Sequence, residues 1–255
     1  MISLENVSIG YSERPVIDNL TTEVPQGKVT TILGPNGCGK STLLKALACL
    51  KVPTQGCIRL DGIDLSTLSS RDRARKIAIL PQHPIAPDGV RVGDLVRRGR
   101  TPWRGALSPW RTEDQAACDE ALVAVHLQHD QSRTLVELSG GQRQRAWLAL
   151  VLAQQTPILL LDEPTTHLDL VYQIELLQLL RDRNRNSGLT VVSILHDLNL
   201  AARFSDHLIL LGAGKLVDAG PPDTVLSADN IRAGFNLQAL VTRDPITSAP
   251  MVVPH

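Results

Sequence analysis

Short apolar runs separated by turn signals open the chain: Ile2-Ser3-Leu4-Glu5-Asn6-Val7, residues 20–24, and Cys57-Ile58-Arg59-Leu60 running into Asp61-Gly62. This pattern predicts antiparallel strands that form a small sheet. Interleaved with them, the β-branched run Val29-Thr30-Thr31-Ile32-Leu33 leads into a glycine-rich stretch and then a helical pattern over 41–51. Three more runs, 77–80, 158–161 and 190–195, have the look of strands buried on both faces. Helical stretches separate them, which predicts a parallel sheet in an α/β core.

Between residues 88 and 155 the composition changes. A loop rich in arginine, proline and tryptophan is followed by helices with little strand character, which predicts a helical insertion. Thr112-Glu113-Asp114-Gln115 reads as a capping box, and Ala117, Ala121, Leu122 and Val125 then mark one apolar side. Over 208–217 a pair of runs turns on Gly212-Ala213-Gly214 as a hairpin. The expected organisation is one domain over 1–255: a core with its β subdomain from 1–87 and 156–235, the helical part from 88–155, and a short proline-punctuated tail over 236–255.

A chain of 255 residues with 43% hydrophobic content can bury one substantial core or two small ones. Lysine plus arginine equal aspartate plus glutamate, 26 against 26, so no global field draws the molecule to nucleic acid or an acidic membrane. No apolar run approaches the roughly 18 residues of a membrane span. The opening Met1-Ile2-Ser3-Leu4-Glu5 also lacks a basic start followed by an apolar stretch, so the chain is expected in the cytoplasm. Cys38, Cys49, Cys57 and Cys118 show no CxxC spacing, which predicts reduced, mostly buried thiols.

The glycine-rich stretch is Gly34-Pro35-Asn36-Gly37-Cys38-Gly39-Lys40-Ser41-Thr42. It fits GxxxxGK[ST] and lies between a predicted strand and a predicted helix, the context that gives the pattern meaning. Glycines there let backbone N–H groups wrap the β- and γ-phosphates, and the helix start adds free donors. Lys40 contributes a mobile positive charge, and Ser41 a hydroxyl for Mg²⁺, a hard cation that shares oxygen ligands with phosphates. ATP with Mg²⁺ is therefore the expected ligand.

Leu161-Asp162-Glu163-Pro164 ends an apolar run with two acids side by side. Asp162 is placed to hold Mg²⁺ through water. Glu163 is placed to take a proton from water attacking the γ-phosphate, an effect worth roughly 10² to 10⁴ in rate. Without the phosphate loop the pair would read as a solvated acidic turn. Gln82 and His196 follow two other buried runs, and ligands gather at the carboxyl ends of strands in open α/β sheets. Singly, Gln82 fits turn chemistry and His196 a hydrogen-bonded structural residue. Together they suit a Mg²⁺ and water ligand and a γ-phosphate donor. In Leu138-Ser139-Gly140-Gly141-Gln142, Ser139 and Gln142 form a capping box, and the same helix start offers bare N–H donors to an anion.

This set, in this order, resembles the nucleotide-binding subunit of an ATP-binding cassette (ABC) transporter over nearly the whole chain. Residues 34–42 resemble the Walker A motif, Gln82 the Q-loop, 138–142 the signature, 158–163 the Walker B motif, Thr166-His167-Leu168-Asp169 the D-loop, and His196 the switch histidine. Tyr11 matches the aromatic that stacks on adenine. The resemblance implies an α/β, P-loop NTPase (RecA-like) core with a mainly parallel sheet, an antiparallel β subdomain on the N-terminal side and an inserted α-helical subdomain. It also implies a head-to-tail dimer, in which Ser139, Gly140, Gly141 and Gln142 of one copy close on the ATP of the other. ATP binding and hydrolysis in that dimer would drive integral membrane permease subunits, docked near Gln82 and the helical insertion, and serve a periplasmic or lipoprotein substrate-binding protein indirectly. The place implied is peripheral, on the cytoplasmic side of the inner membrane.

Within the family, the wording of 142–170 and of His196-Asp197-Leu198-Asn199-Leu200-Ala201-Ala202-Arg203-Phe204-Ser205-Asp206 is similar to ATPases that power uptake of iron-siderophore complexes; haem and cobalamin importers share much of it. A cassette acting on nucleic acid is the rival from another class. Residues 71–111 hold ten Lys or Arg against three Asp or Glu, yet few aromatic stacking partners accompany them, and a solvated or lipid-facing surface explains the excess. No nucleic-acid partner is expected. A binder without turnover is the other rival, and Glu163 argues against it.

Overall fold

The computed structural model describes residues 1–255 except 12, 13, 106, 107 and 167, and except the side chains of Tyr11 and Arg14. In chain order it contains β1 (Ile2–Tyr11), β2 (Arg14–Val24), β3 (Val29–Leu33), α1 (Lys40–Leu47), β4 (Gln55–Leu60), β5 (Ile63–Asp64), α2 (Ser70–Lys76) and β6 (Ile77–Leu80). Next come α3 (Val92–Arg97), α4 (Thr112–Ala124), α5 (Gly140–Ala153), β7 (Ile158–Leu161), α6 (Leu170–Ser187), β8 (Thr190–Ile194) and α7 (Leu198–Phe204). The chain closes with β9 (His207–Gly212), β10 (Lys215–Gly220), α8 (Pro222–Val225), α9 (Ala228–Phe235), β11 (Ala239–Arg243) and β12 (Pro250–Pro254).

The continuous apolar runs form the middle of a sheet ordered β10-β9-β3-β8-β7-β6, parallel except for β10. Every residue of β3, β7 and β8 is buried, as strands covered on both faces require. Each buried Leu or Ile there is worth about 1.5–3 kcal/mol against exposure. Two of the polar residues in these strands pair within the core: Thr31 Oγ1 lies 3.1 Å from Ser193 Oγ and 2.7 Å from Ser205 Oγ. The alternating N-terminal runs form a second sheet, β2-β1-β4-β5, antiparallel throughout as the pattern predicted.

The helical segment packs α3, α4 and α5 through Leu95, Val96, Ala121, Leu122 and Ala149. Arg100 braces it from inside: Nε donates to Asp114 Oδ1 at 2.9 Å, and Nη1 donates to the Ala153 carbonyl at 2.9 Å. Burial works to raise the Asp114 carboxyl, but bonds from Arg100 and from the Arg111 N–H outweigh it and hold the group below the usual range.

Four sequence expectations need correction. The first helix ends at Leu47, not 51, because Cys49 turns left-handed (φ 54°) and its N–H closes on the Ala46 carbonyl. The capping box of α4 sits one residue earlier: Arg111 is the N-cap, Asp114 Oδ2 accepts its N–H at 3.3 Å, and Gln115 bonds Trp110 and Asp119 instead. Two of the thiols, Cys49 and Cys57, are only half-buried. The segment 236–255 is a hairpin of β11 and β12, with Pro250 and Pro254 at the ends of an edge strand where a missing N–H costs little.

Candidate active site

Parallel pairing brings the carboxyl ends of β3, β6, β7 and β8 to one edge, and the loop leaving each end carries a polar group singled out above. The loop after β3 is built on close approach. A Cβ at Gly34 (φ 148°) would stand 2.4 Å from the Leu211 carbonyl oxygen and 2.6 Å from Cys38 Sγ, and one at Gly39 (φ 103°) 2.5 Å from Ile17 Cδ1. Buried Lys40 curls back on this loop, Nζ donating to the Gly34 carbonyl at 2.8 Å and the Pro35 carbonyl at 2.9 Å. Cys38 is packing within the loop, and burial pushes its thiol up.

Ser41, in the first turn of α1, donates from Oγ to Asp162 Oδ1 at 2.9 Å, which ties the loop to the end of β7. Asp162 is 2% exposed. Burial pushes its carboxyl up, partly offset by the Ser41 hydroxyl. These are hard oxygen donors beside a phosphate-type loop, the set that suits Mg²⁺. Among the described residues no group of three His, Cys, Asp or Glu forms a metal cage, so a cation here would take its other ligands from phosphate and water.

Glu163 follows in a left-handed conformation (φ 53°), a strained state for a non-glycine residue that surrounding bonds must hold. Both carboxylate oxygens are held. Gln82 Nε2 donates to Oε2 at 2.7 Å, His196 Nε2 lies 2.7 Å from Oε1, and Thr166 Oγ1 adds a bond to Oε2 at 3.3 Å. Thr166 enters the sequence reading only as the first residue of the stretch resembling the D-loop, with no bond to Glu163 expected; a hydroxyl three residues past an acid, in a turn, is the signal that points to it.

Between loop and acid lies a cavity of about 440 Å³, lined by Asn36, Gly37, Gly39, Lys40, Ser41 and Thr42 on one side and by Gln82, Glu163 and His196 on the other. Val16, also missed, closes one end. The size is that of a small-molecule site. A slightly larger and more apolar cavity lies between α5 and α6 against Leu148, Leu168 and Leu179, away from the phosphate loop. Chemistry, not size, selects the former.

The signature residues do not join this cavity. Ser139 Oγ accepts the Gln142 N–H at 3.2 Å and Gln142 Oε1 accepts the Ser139 N–H at 3.1 Å, the expected capping box at the start of α5. Ser139 and Gly140 are exposed, with nothing within 4 Å of a Cβ built on Gly140. Asp169 caps α6, its Oδ1 accepting the Tyr172 N–H at 3.1 Å. His167 of the same loop lies outside the described residues, as does the side chain of Tyr11, whose backbone ends β1. Among the described residues no helix is long and apolar enough to cross a membrane.

The chain matches the ABC transporter family over residues 17–166. It is 45% identical over 250 residues to the ferric enterobactin transport ATP-binding protein FepC of Escherichia coli (strain K12), covering 98% of this chain and 92% of that protein. It is 41% identical over 254 residues to the iron(3+)-hydroxamate import ATP-binding protein FhuC of Bacillus subtilis (strain 168), covering 100% and 94%. Among solved structures it is similar to the dimeric bacterial ABC transporter cassette MJ0796, with a TM-score of 0.79 and 31% identity over 87% of this chain and 98% of that one. A match across more than half the chain, with kinship at full length, shows that the chain belongs to the ABC transporter family.

Proposed function

We propose that this chain is the ATP-hydrolysing subunit that powers import of a ferric siderophore or related iron chelate, working peripherally from the cytoplasmic side of the cell membrane. The observation that carries the reading is the Glu163 carboxylate held between Gln82 and His196 across one cavity from the phosphate loop. Kinship with FepC and FhuC supplies the cargo class.

In this reading the amides of Gly34, Pro35, Asn36, Gly37, Cys38, Gly39, Lys40, Ser41 and Thr42 cradle the phosphates of ATP. Lys40 turns its ammonium from the loop carbonyls to phosphate oxygens. Ser41, Asp162 and Gln82 would hold Mg²⁺, which when bound offsets phosphate charge. Glu163 accepts the proton of the attacking water, Gln82 orients that water, and His196 donates to the γ-phosphate. Tyr11 stacks on adenine.

Ser139, Gly140, Gly141 and Gln142 stand clear of their own chain's cavity, so they are free to close on ATP held by a second copy, with Asp169 at the junction. Two copies then work under permease subunits, which a substrate-binding protein supplies. The test is reconstitution with the permease in proteoliposomes. Turnover that rises with the permease and accompanies uptake of radiolabelled ferric siderophore supports the reading; protein with magnesium that retains no nucleotide, or turnover stimulated by RNA or DNA instead, overturns it.

A further inference from the structure

His196 meets Glu163 from a turn whose far side is held by the C-terminal hairpin. Its side chain is 49% exposed and, among the described residues, its imidazole is bonded to Glu163 alone. A ring so open to water has little packing of its own, so its aim depends on the backbone before and after it. Before it, Leu195 is buried. After it, α7 begins with Asp197 as N-cap, Oδ1 accepting the N–H of Asn199 at 2.8 Å and of Leu200 at 2.9 Å.

With its own N–H fixed by that cap, Asn199 turns its side chain to the hairpin. Oδ1 accepts the Val252 N–H at 2.7 Å, and Nδ2 donates to the Val252 carbonyl at 3.2 Å. One amide thus satisfies both main-chain groups of a strand residue, as a neighbouring strand would, and β12 has no second strand on that side. The Val252 side chain is 4% exposed and packs in one cluster with Leu195, Ala201, Ala202 and Phe204. The hairpin therefore holds the first turn of α7, just after His196, and shares a buried cluster with Leu195 just before it.

We propose that Asn199, bound to Val252, is a positioning residue: the C-terminal hairpin braces the turn that holds His196 on Glu163. Its consequence for turnover rests on the role given to His196 above. Loosening the brace lets the imidazole leave the 2.7 Å contact without touching the phosphate loop, so it lowers kcat and spares ATP binding. Misplacing a reacting group by about 1 Å costs up to about 10²-fold, and a brace loosened but not removed should cost about tenfold.

The test is a double-mutant cycle on the full chain at saturating ATP. Asn199→Ala is expected to lower kcat about tenfold with ATP affinity within about twofold; on a His196→Ala background the same change should move kcat less than about twofold, because residues acting through one group do not add. Asn199→Asp keeps the acceptor for the Val252 N–H and should recover kcat to within about threefold of native. A readout free of turnover is the His196 imidazole resonance in isotope-labelled protein, assigned by its loss in His196→Ala; Asn199→Ala should shift or broaden it. Equal losses in both backgrounds, an unmoved resonance, or native kcat in Asn199→Ala where His196→Ala loses turnover overturns the brace. A resonance that moves while His196→Ala retains native kcat supports the brace and overturns the role given to His196.

Discussion

Ser41 Oγ donates to Asp162 Oδ1 at 2.9 Å, so the start of the phosphate-loop helix and the end of a buried strand share one proton-bearing contact. The carboxylate behind it is nearly buried, and burial pushes its pKa up from the ordinary 3.8. A raised folded-state pKa means that the native protein binds this proton more tightly than the unfolded chain does. Stability from this group is therefore lost as pH rises from the ordinary value through the raised one, and at neutral pH ionised Asp162 opposes folding. Asp162→Asn should melt no lower than native protein without ligand at neutral pH, while losing the magnesium-dependent part of its stabilisation by ATP. Thermal melts with and without Mg-ATP check both signs, and a variant that melts lower alone yet keeps the full ligand shift would remove Asp162 from the cation site.

Lys40 makes two charge-assisted bonds to carbonyls of its own loop. Each such bond is worth about 1.5–3 kcal/mol, and in the proposed role the ammonium exchanges them for bonds to phosphate. Lys40→Ala should weaken ATP binding about tenfold to a hundredfold in a fluorescent-nucleotide titration. The two carbonyls are left to water, so the melting temperature should change less than the affinity does.

Glu163 accepts from Gln82 and Thr166 at one oxygen and contacts His196 at the other. An amide at this position has one accepting atom where the carboxylate has two, so Glu163→Gln sets an N–H₂ against a donor on one side. Turnover at saturating ATP should fall by roughly 10² to 10⁴, the value of a positioned base. ATP binding should persist, and an ATP-bound dimer should accumulate on size exclusion. Equal turnover in mutant and native protein rejects the base assignment.

The sheet and the convergence of these side chains were legible in the sequence for one reason: the strands that lead to them are short runs of apolar and β-branched residues, each followed by a glycine-rich loop or a polar group. Leu161 before Asp162 marks the end of β7, Leu195 before His196 lies one residue past the end of β8, and parallel pairing then leaves one edge for the side chains to share. Features decided by single backbone angles were not legible. Nothing in Cys49 or Glu163 announces a left-handed φ, yet the first stops α1 early and the second aims the carboxylate. The C-terminal hairpin was also hidden, because Pro245, Pro250 and Pro254 read as loop punctuation while its edge is completed by a side chain, Asn199, some fifty residues earlier.

Gly140 separates the two demands on the signature helix. It is the first residue of α5, its φ is not left-handed, and a methyl group there meets nothing within 4 Å in its own chain. Alanine is preferred over glycine within helices by up to about 1 kcal/mol, so Gly140→Ala should leave the melting temperature unchanged or raise it slightly. Each chain's affinity for ATP should also hold, because the cavity between the phosphate loop and Gln82, Glu163 and His196 does not include Gly140. If the bare helix start closes on ATP held by a second copy, the added methyl occupies the space that the partner's phosphates need. Turnover should then fall at least about tenfold, the cost of about 1.4 kcal/mol at the transition state, in a protein that is no less stable. A melting curve and a steady-state ATPase assay on one preparation decide the matter, and native turnover in this variant would mean that the signature does not approach the partner's nucleotide.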